Sequence, residues 1–317
     1  MLKHFLKRLT SAQYNLSLAE KSAINSGLLL ARQTSLLPSI PELSAAEFSV
    51  FSQFGEDGII SWLTTLLPSI PHTFIEVGVQ NYLESNTRFL LLSKHWSGTI
   101  IDASSKFINS IRSSDIYWRE SLTAVNSFVT TANINELCSN SLSNKQLGLL
   151  SIDIDGNDYW IWDALTSVQP FIVVVEFNSL FGDNYPLVVP YDPSFDRTSA
   201  HYSNLYFGAS LPAFIDLAAK KGYQCIGTCS TGVNAFFIRN DIFPIINRNL
   251  DEIVFYPSLR RESRSPDGLL TYLDNQQSRQ LVDDLPLLQL HELDHIHSTL
   301  SRIPDLYSAR WSSLLGS

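Results

Sequence analysis

Three carboxylates follow an apolar run in the middle of the chain. The run from Leu149 to Ile152 is followed by Asp153, Asp155 and Asp158 around a Gly-Asn turn. An apolar run that ends in a turn predicts a buried strand. Asp153 and Asp155 are two residues apart, so an extended backbone points both to one side. Two like charges this close repel each other unless a cation, a proton or hydrogen-bond donors offset them. The pair therefore predicts a site of chemistry, and an ordinary solvated turn is the alternative.

The same polar pattern recurs where the other predicted strands end. The residues at these ends are Glu76 and Gly78, Asp102, Asn126, Asp153 with Asp155, and Glu176 with Asn178. Parallel strands place their carboxyl ends at one edge of a sheet, and open α/β folds bind ligands there. We therefore expect these side chains to line one pocket.

The elements that position these residues alternate between strand and helix. Strands are predicted at 73–78, 98–102, 122–126, 147–153 and 171–177, and helices at 59–67, 84–94, 105–112, 133–140 and 159–165. Such alternation predicts parallel strands with right-handed crossovers, hence a doubly wound α/β sheet. A helix at 211–221 follows, and then strands at 223–227 and 234–239, whose spacing permits an antiparallel hairpin.

The remaining segments predict two helical extensions around a central domain. We expect an N-terminal extension over 1–47, an α/β domain over 48–243 and a C-terminal extension over 244–317. Pro38 and Pro41 interrupt the first extension. In the second, helices are predicted near 268–272 and 276–284, and Pro286 should stop the latter. The aperiodic stretch 178–204 predicts a long functional loop.

Composition excludes several classes of protein. With 44% hydrophobic and 17% charged residues, the 317-residue chain can bury a full core, and its formal charge of −9 argues against nucleic-acid binding. No apolar run reaches about 18 residues, so we expect no transmembrane segment. The basic first residues lack the apolar region of a signal peptide, and a packed helix is favoured over one that touches a membrane. Cys138, Cys225 and Cys229 predict free thiols and a cytoplasmic location.

The turn after the first strand favours a nucleoside ligand. Asp102 follows Gly78 by roughly 20 residues, a spacing that suits the hydroxyls of a ribose. Capping of the helix from Ser105 is the alternative role for Asp102. Gln80 and Tyr82 replace the later glycines of a dinucleotide fingerprint and would obstruct a pyrophosphate. We therefore favour S-adenosylmethionine over NAD as the ligand.

Several segments together resemble FkbM-type methyltransferases of polysaccharide and secondary-metabolite clusters. They are QFGEDG at 53–58, EVG at 76–78, ESNT at 84–87 and SIDIDGNDYW at 151–160, with further likeness at 205–210 and 232–237. The resemblance implies a class I methyltransferase fold, which is Rossmann-like, with a mostly parallel seven-stranded sheet that ends in an antiparallel hairpin. It also implies S-adenosylmethionine-dependent O-methylation of a sugar or glycan hydroxyl in polysaccharide or glycoconjugate biosynthesis. The first turn has less glycine than the family usually shows.

These considerations assign roles to the polar residues. The expected cofactor-binding residues are Gln53, Glu76, Gly78, Asn86, Asp102 and Asn126. In the family resemblance the loop with Gln53 and Asp57 covers the cofactor or the acceptor. The alternative is that Asp57 caps the helix that follows Gly58.

Methyl transfer requires an acceptor hydroxyl that is positioned and deprotonated. We expect Asp155 to act as the base, while Asp153, Glu176 and Asn178 offer oxygen ligands to Mg²⁺, which would lower the pKa of the hydroxyl. Without a metal, Asp155 or His201 would be the base. His201 lies in the polar and aromatic loop, a mixture that suits a carbohydrate.

Three other interpretations compete with a methyltransferase. A metal-dependent glycosyltransferase could use the Asp153-x-Asp155 pair, but it leaves Glu76 and Asp102 unexplained. A haloacid-dehalogenase-like phosphatase requires the motif on its first strand and a Thr where this chain has Asn157. A non-catalytic adenosylmethionine-fold binding module is the third. The partner is expected to be a small-molecule or glycan acceptor. The sequence leaves open whether the chain forms a homo-oligomer.

Overall fold

The computed structural model describes residues 2–142, 145–290 and 295–316, and their side chains from residue 18 onward. The helices are α1 (Leu2–Ser35), α2 (Glu56–Leu66), α3 (Arg88–Lys94), α4 (Ser105–Arg112), α5 (Asp115–Arg119), α6 (Ile134–Leu142), α7 (Asp158–Ala164), α8 (Arg197–Ala200), α9 (Leu211–Lys221), α10 (Phe243–Asn247), α11 (Asn275–Gln280) and α12 (Ala309–Leu315). The strands are β1 (Thr73–Val77), β2 (Ser97–Asp102), β3 (Leu122–Asn126), β4 (Leu149–Ile152), β5 (Ile172–Glu176), β6 (Leu187–Val188), β7 (Tyr223–Thr228), β8 (Asn234–Arg239), β9 (Leu287–Leu290) and β10 (His295–Ser298). Short 3₁₀ helices lie at Leu43–Ala46, Ser179–Phe181 and Leu300–Arg302.

Seven strands form the main sheet in the order β3-β2-β1-β4-β5-β8-β7. Strands β1 to β5 are parallel, and Ile75 of β1 pairs with Thr99 of β2 and with Leu150 of β4. Strand β8 is antiparallel to both β5 and β7. This is the strand arrangement of a class I methyltransferase fold, so the predicted fold class is confirmed. The strand order reverses between β1 and β4, the place where open α/β sheets bind ligands.

Both faces of this sheet are covered, which explains the apolar runs in the sequence. Strand β5 begins with four residues, Ile172 to Val175, that are completely buried. Val173 and Val175 join the apolar core on one face, and Ile172 and Val174 join the core on the other. Successive side chains of a strand point to opposite faces, so a strand buried on both faces is apolar throughout.

The C-terminal part differs from its prediction. Strands β9 and β10 form a second sheet with β6 in the order β10-β9-β6, and neither β9 nor β10 was predicted. The helix predicted at 268–272 is wrong, because Gly268 adopts a φ of +79° and Arg264 bridges to Leu270 instead. Helix α11 confirms in part the helix predicted at 276–284. A capping box between Asp274 and Gln277 forms its N-terminus.

The N-terminal helix α1 ends at Ser35, before the two prolines, as predicted. It packs on α2 and α3, where Glu20 accepts a hydrogen bond from the guanidinium of Arg88 at 2.8 Å. Beyond α1, Ile40 bridges to Leu250 and so joins the segments that precede and follow the main sheet. Among the helices that the structure describes, none combines the length and the apolar character needed to cross a bilayer.

Candidate functional site

A cavity of about 900 Å³ lies at the carboxyl ends of the main-sheet strands, around the switch between β1 and β4. Its size is typical of a cofactor or small-ligand site. Predicted site residues that line it are Gln53, Glu76, Gly78, Asn86, Asp102, Asp153, Asp155, Glu176 and Asn178. Asn126 and His201 are not among the lining residues. The expected pocket is therefore present, and it gathers all but two of the residues assigned to it.

Gly78 permits the close approach of β1 and β4. Its φ is +86°, and a Cβ at this position would lie 1.6 Å from the carbonyl oxygen of Asp153. The next turn is also unusual, because Gln80 and Tyr82 have φ values of +47° and +60°. Gln80 lines the cavity, but Tyr82 is buried and its hydroxyl lies 3.0 Å from Thr87 Oγ1. Of the two residues expected to obstruct a pyrophosphate, only Gln80 therefore reaches the cavity.

Glu76 organises the loop between β1 and α3. Its carboxylate accepts hydrogen bonds from Ser85 Oγ at 2.6 Å, from the Asn86 N–H at 2.8 Å and from the Thr87 N–H at 3.1 Å. These bonds hold residues 85–87 outside the helix, so α3 begins at Arg88, later than predicted. Burial raises the pKa of Glu76. The residue is thus a buried wall of the cavity that fixes the loop beside it.

Asp102 joins the turn after β1 to the end of β2. One carboxylate oxygen accepts the Gln80 N–H and the other the Ser104 N–H, both at 2.7 Å. The N-cap of α4 is Ser104, whose Oγ accepts the Phe107 N–H, so the alternative that Asp102 caps this helix is wrong. A carboxylate oxygen accepts more than one hydrogen bond, so Asp102 retains capacity for ligand hydroxyls.

Asn126 makes a structural contact at the end of β3. Its Nδ2 donates to the carbonyl oxygens of Asp102 at 3.0 Å and Ala103 at 2.9 Å. The amide thereby ties the end of β3 to the end of β2. Ser127 and Phe128, the next two residues, line the cavity instead.

The loop before α2 is held by Asp57. The Oδ2 atom of Asp57 accepts the N–H groups of Val50, Phe51 and Ser52 at 2.6 to 2.9 Å. Because α2 begins at Glu56, Asp57 lies within its first turn and does not cap a helix from Gly58. Burial raises the pKa of Asp57 to about 6, despite the three donors. The loop is thus rigidly attached where Gln53 reaches the cavity.

Asp153, Asp155 and Glu176 form an acidic cluster at the carboxyl ends of β4 and β5. Each offers a carboxylate oxygen, and these atoms lie within 4.8 Å of one another. Burial, and repulsion by the neighbouring carboxylates, raise the pKa of Asp153 and Glu176 well above their usual range. The Oε2 atom of Glu176 is buried and has no hydrogen-bond partner among the described residues. The cluster therefore has unused capacity for a proton, a cation or a ligand donor.

Arg197, from α8 in the long loop, contacts this cluster through Asp155. Its Nη1 donates to Oδ1 of Asp155, its Nε donates to the Asn204 carbonyl oxygen at 2.6 Å, and its guanidinium lies 3.7 Å from the Phe207 ring centroid. Burial lowers the pKa of Arg197, but Glu176 and Asp155 outweigh that effect and the net shift is upward. Asp155 has a φ of +56°, which non-glycine residues seldom adopt. No sequence pattern linked Arg197 to Asp155, 42 residues earlier.

The side chain of Asn178 forms hydrogen bonds with backbone groups in the same loop. Its Nδ2 donates to the carbonyl oxygens of Leu205 at 2.9 Å and Phe207 at 3.0 Å, and its Oδ1 accepts the Leu180 N–H at 3.1 Å. The amide is thus an anchor for the loop that carries Arg197. The carboxylates brought together here are those of Asp153, Asp155 and Glu176, and Asn178 lines the same cavity.

His201 and Asp158 stand apart from the cluster. His201 Nδ1 lies 2.7 Å from Ser203 Oγ, and burial lowers the pKa of the imidazole. Because His201 does not line the cavity, the structure does not support its role as the base. Asp158 begins α7 and accepts the N–H groups of Ile154 and Gly156 at 2.9 Å each, which confirms its predicted place at the start of that helix.

The outer wall of the cavity comes from a segment that sequence patterns did not implicate. Residues 258–262 line it from the C-terminal part of the chain. Pro257 packs on Gly232, where a Cβ would lie 2.2 Å from the Pro257 carbonyl carbon. On the same side, Asn234 donates its Nδ2 to Glu56 Oε1 at 2.8 Å. These contacts join segments far apart in the chain, and no local pattern marks them.

No protein-family model matches the chain, and no curated protein is similar to it. Solved structures align with part of it. The pyocyanin biosynthetic protein PhzM is 11% identical over 57% of this chain, with a TM-score of 0.34. An O-methyltransferase family protein from Burkholderia thailandensis is 11% identical over 58%, with a TM-score of 0.36. The O-methyltransferase from Bacillus cereus, in complex with SAH, is 14% identical over 68% of this chain and 89% of its own, with a TM-score of 0.35. The alignments span 56% and 58% of the first two proteins.

Proposed function

We propose that this protein is an S-adenosylmethionine-dependent O-methyltransferase that acts on a hydroxyl of a sugar or glycan. The observation that supports the proposal is a single cavity that joins Asp102 on one side of the β1–β4 switch to an acidic cluster on the other. The sequence resemblance to FkbM-type methyltransferases supports the acceptor class. We also propose a cytoplasmic location and no nucleic-acid partner, in line with the acidic composition.

The cavity residues fit the proposed cofactor. S-adenosylmethionine, when bound, supplies an electrophilic methyl group. Asp102 has oxygen atoms that can accept ribose hydroxyls, and its two N–H contacts hold it in place. Gly78 keeps the ends of β1 and β4 close, and Glu76 fixes the loop over them. This half of the cavity is therefore formed before any ligand enters.

The acidic cluster provides groups for the acceptor hydroxyl. Asp155 is held by Arg197, whereas the Asp153 carboxylate makes no side-chain hydrogen bond within the described part of the chain. We therefore propose that Asp153 takes the hydroxyl proton, and that Asp155 positions the acceptor together with Arg197. A free carboxylate accepts a proton more readily than one held by a guanidinium. Glu176, with its unpartnered oxygen, can accept a second hydroxyl.

The same three carboxylates also fit a divalent cation. Mg²⁺ prefers carboxylate oxygens, and the unpartnered Glu176 Oε2 is the donor that such an ion would use. The ion would lower the pKa of the acceptor hydroxyl. Activity that is unchanged by EDTA would discard this part of the proposal.

Titration with S-adenosylhomocysteine tests the proposed cofactor. We expect binding by the wild type, binding weakened at least about tenfold in Asp102→Ala, and no change in Asp115→Ala, which alters an exposed acid in α5. A protein that ignores millimolar cofactor but binds a nucleotide sugar tightly would be a glycosyltransferase instead.

Turnover with labelled cofactor and glycan precursors of the host tests the base. Asp153→Asn should retain cofactor binding and lose about 100-fold or more in turnover, since general-base catalysis typically contributes that much. Asp155→Asn should lose less and raise KM. A wild-type rate in Asp153→Asn would refute its assignment, and the reverse ranking of the two variants would make Asp155 the base.

A further inference from the structure

Two arginines, Arg260 and Arg261, line the outer wall of the cavity. They lie on the side of β5 and β8, because the Ser258 N–H donates to Oγ of Ser179, just after β5, at 3.0 Å. That side is the acceptor half of the cavity under the function proposed above. Both side chains are exposed, and neither forms an ion pair with any residue that the structure describes.

The segment that carries them is fixed at both ends. Before it, the Tyr256 N–H donates to Thr228 Oγ1 at 2.9 Å, in addition to the bond from Ser258. After it, the Arg264 N–H donates to the Ser203 carbonyl oxygen at 3.2 Å. Residues 259–262 therefore bridge two anchored points. The hydrogen bonds at both ends hold this segment over the cavity.

The guanidinium groups keep their hydrogen-bond donors free. Arg260 lies over the ring of Phe54, with 4.1 Å between its Cζ and the ring centroid, in the loop that also brings Gln53 to the cavity. Stacking on a ring orients a guanidinium and uses none of its five N–H donors. Arg261 makes no side-chain hydrogen bond within the described ranges. Glu262 and Asp274 line the same region, yet neither carboxylate pairs with the arginines.

We infer that the acceptor carries a phosphate group, which Arg260 and Arg261 bind at the outer wall of the cavity. Guanidinium groups bind phosphate through two parallel hydrogen bonds, and two adjacent arginines match the charge of a phosphate ester. The inference rests on the proposed function, because it names the class of that acceptor as a sugar phosphate. A carboxylate on the sugar would also accept two parallel hydrogen bonds from one arginine, and the experiment below separates a phosphate from a carboxylate.

Calorimetric titration of the full chain tests this, with and without S-adenosylhomocysteine. The probes are glucose 1-phosphate, UDP-glucose, glucuronate and glucose. We expect both phosphate probes to bind at least about tenfold more tightly than glucose and glucuronate. Arg260→Gln and Arg261→Gln should each weaken phosphate binding about tenfold, since each removes a charge-assisted hydrogen bond. Arg302→Gln, an exposed arginine outside the cavity, should change it by less than about twofold.

The outcomes divide clearly. Equal affinity for all four probes, no binding of either phosphate probe, or unchanged affinity in both cavity variants overturns the inference. Glucuronate bound as tightly as the phosphate probes assigns the site to carboxylates and also overturns it. Cofactor binding without a phosphate preference refutes only this inference. Phosphate binding without cofactor binding refutes the methyltransferase proposal and leaves the phosphate site in place.

Discussion

Replacing Arg197 with Met tests whether this guanidinium is the counter-ion of the acidic cluster. The ion pair with Asp155 joins side chains that are 24% and 47% exposed, so it contributes about 1 kcal/mol at most. Stacking on Phe207 contributes about 1 kcal/mol, and the hydrogen bond to the Asn204 carbonyl about 1.5 kcal/mol. Contacts of one side chain do not add fully. We therefore expect the free energy of unfolding to fall by about 2–3 kcal/mol.

A double-mutant cycle isolates the charge interaction. Asp155→Asn alone should change the free energy of unfolding by less than about 1 kcal/mol, because it loses the ion pair but also relieves repulsion within the cluster. The coupling energy between Arg197→Met and Asp155→Asn should be about 1 kcal/mol. Urea unfolding followed by tryptophan fluorescence measures all four proteins, and buried Trp162 reports on the core beside the cluster. Arg119→Met, which breaks an exposed ion pair, is the matched control and should cost less than about 0.5 kcal/mol.

The result that refutes the reasoning is a coupling energy near zero together with a loss no larger than that of the control. The same proteins test the divalent cation by a readout other than activity. Because Arg197→Met removes the positive charge beside Asp155, Mg²⁺ should stabilise the variant more than the wild type. At about 100 times its dissociation constant, a ligand stabilises the folded state by about 2.7 kcal/mol. No shift with Mg²⁺ in either protein argues that the cluster is not a metal site.

Three further substitutions test the frame of the cavity. Gly78→Ala should lower the free energy of unfolding by more than about 3 kcal/mol, because its Cβ meets the Asp153 carbonyl. The control Gly268→Ala has a similar φ but open space around the Cβ, so it should cost only about 1–2 kcal/mol in the same urea unfolding assay. Asp57 has a folded-state pKa of about 6 against an ordinary 3.8, so the free energy of unfolding should fall by up to about 3 kcal/mol as pH rises from about 4 to 6. Urea unfolding across that range should show a loss that is smaller in Asp57→Asn than in the wild type, because Asp158, whose pKa burial also raises to about 6, contributes to the loss in both proteins. Asp102→Asn should weaken S-adenosylhomocysteine binding about tenfold by calorimetry, and unchanged affinity would remove Asp102 from the cofactor site.

The strands of the main sheet could be predicted because their signal is local. Strand β5 is an uninterrupted β-branched run, and strand β3 was predicted to the residue at Leu122–Asn126. The alternation of elements then predicted the parallel direction of β1 to β5. Strand β6 is only Leu187–Val188, too short to show any period, and it pairs with β9 about 100 residues later. A sheet made from such pieces leaves no local signature.

The limits of prediction at the site have the same origin. Asp102 and Asn126 both end a strand, and only tertiary contacts decide that one faces the cavity while the other bonds to the neighbouring strand end. Proximity in sequence identified Asp153 and Asp155, which are two residues apart. It could not identify Arg197 or Arg260, whose contacts depend on how the long loop and the C-terminal segment return to the sheet.

The two halves of the cavity differ in how fully their polar groups are used. Glu76 and Asp102 already accept hydrogen bonds from the loops that they fix, so this half needs no rearrangement when a ligand enters. In the other half, the buried Oε2 of Glu176 and the guanidinium of Arg260 have no hydrogen-bond partner within the part of the chain that the structure describes. An unsatisfied buried polar atom costs about 1–3 kcal/mol, which a ligand that supplies the missing partner recovers. The discrimination between acceptors should therefore lie with Glu176, because an acceptor without a matching donor leaves its buried oxygen unsatisfied. The exposed arginines add a preference for an anionic group.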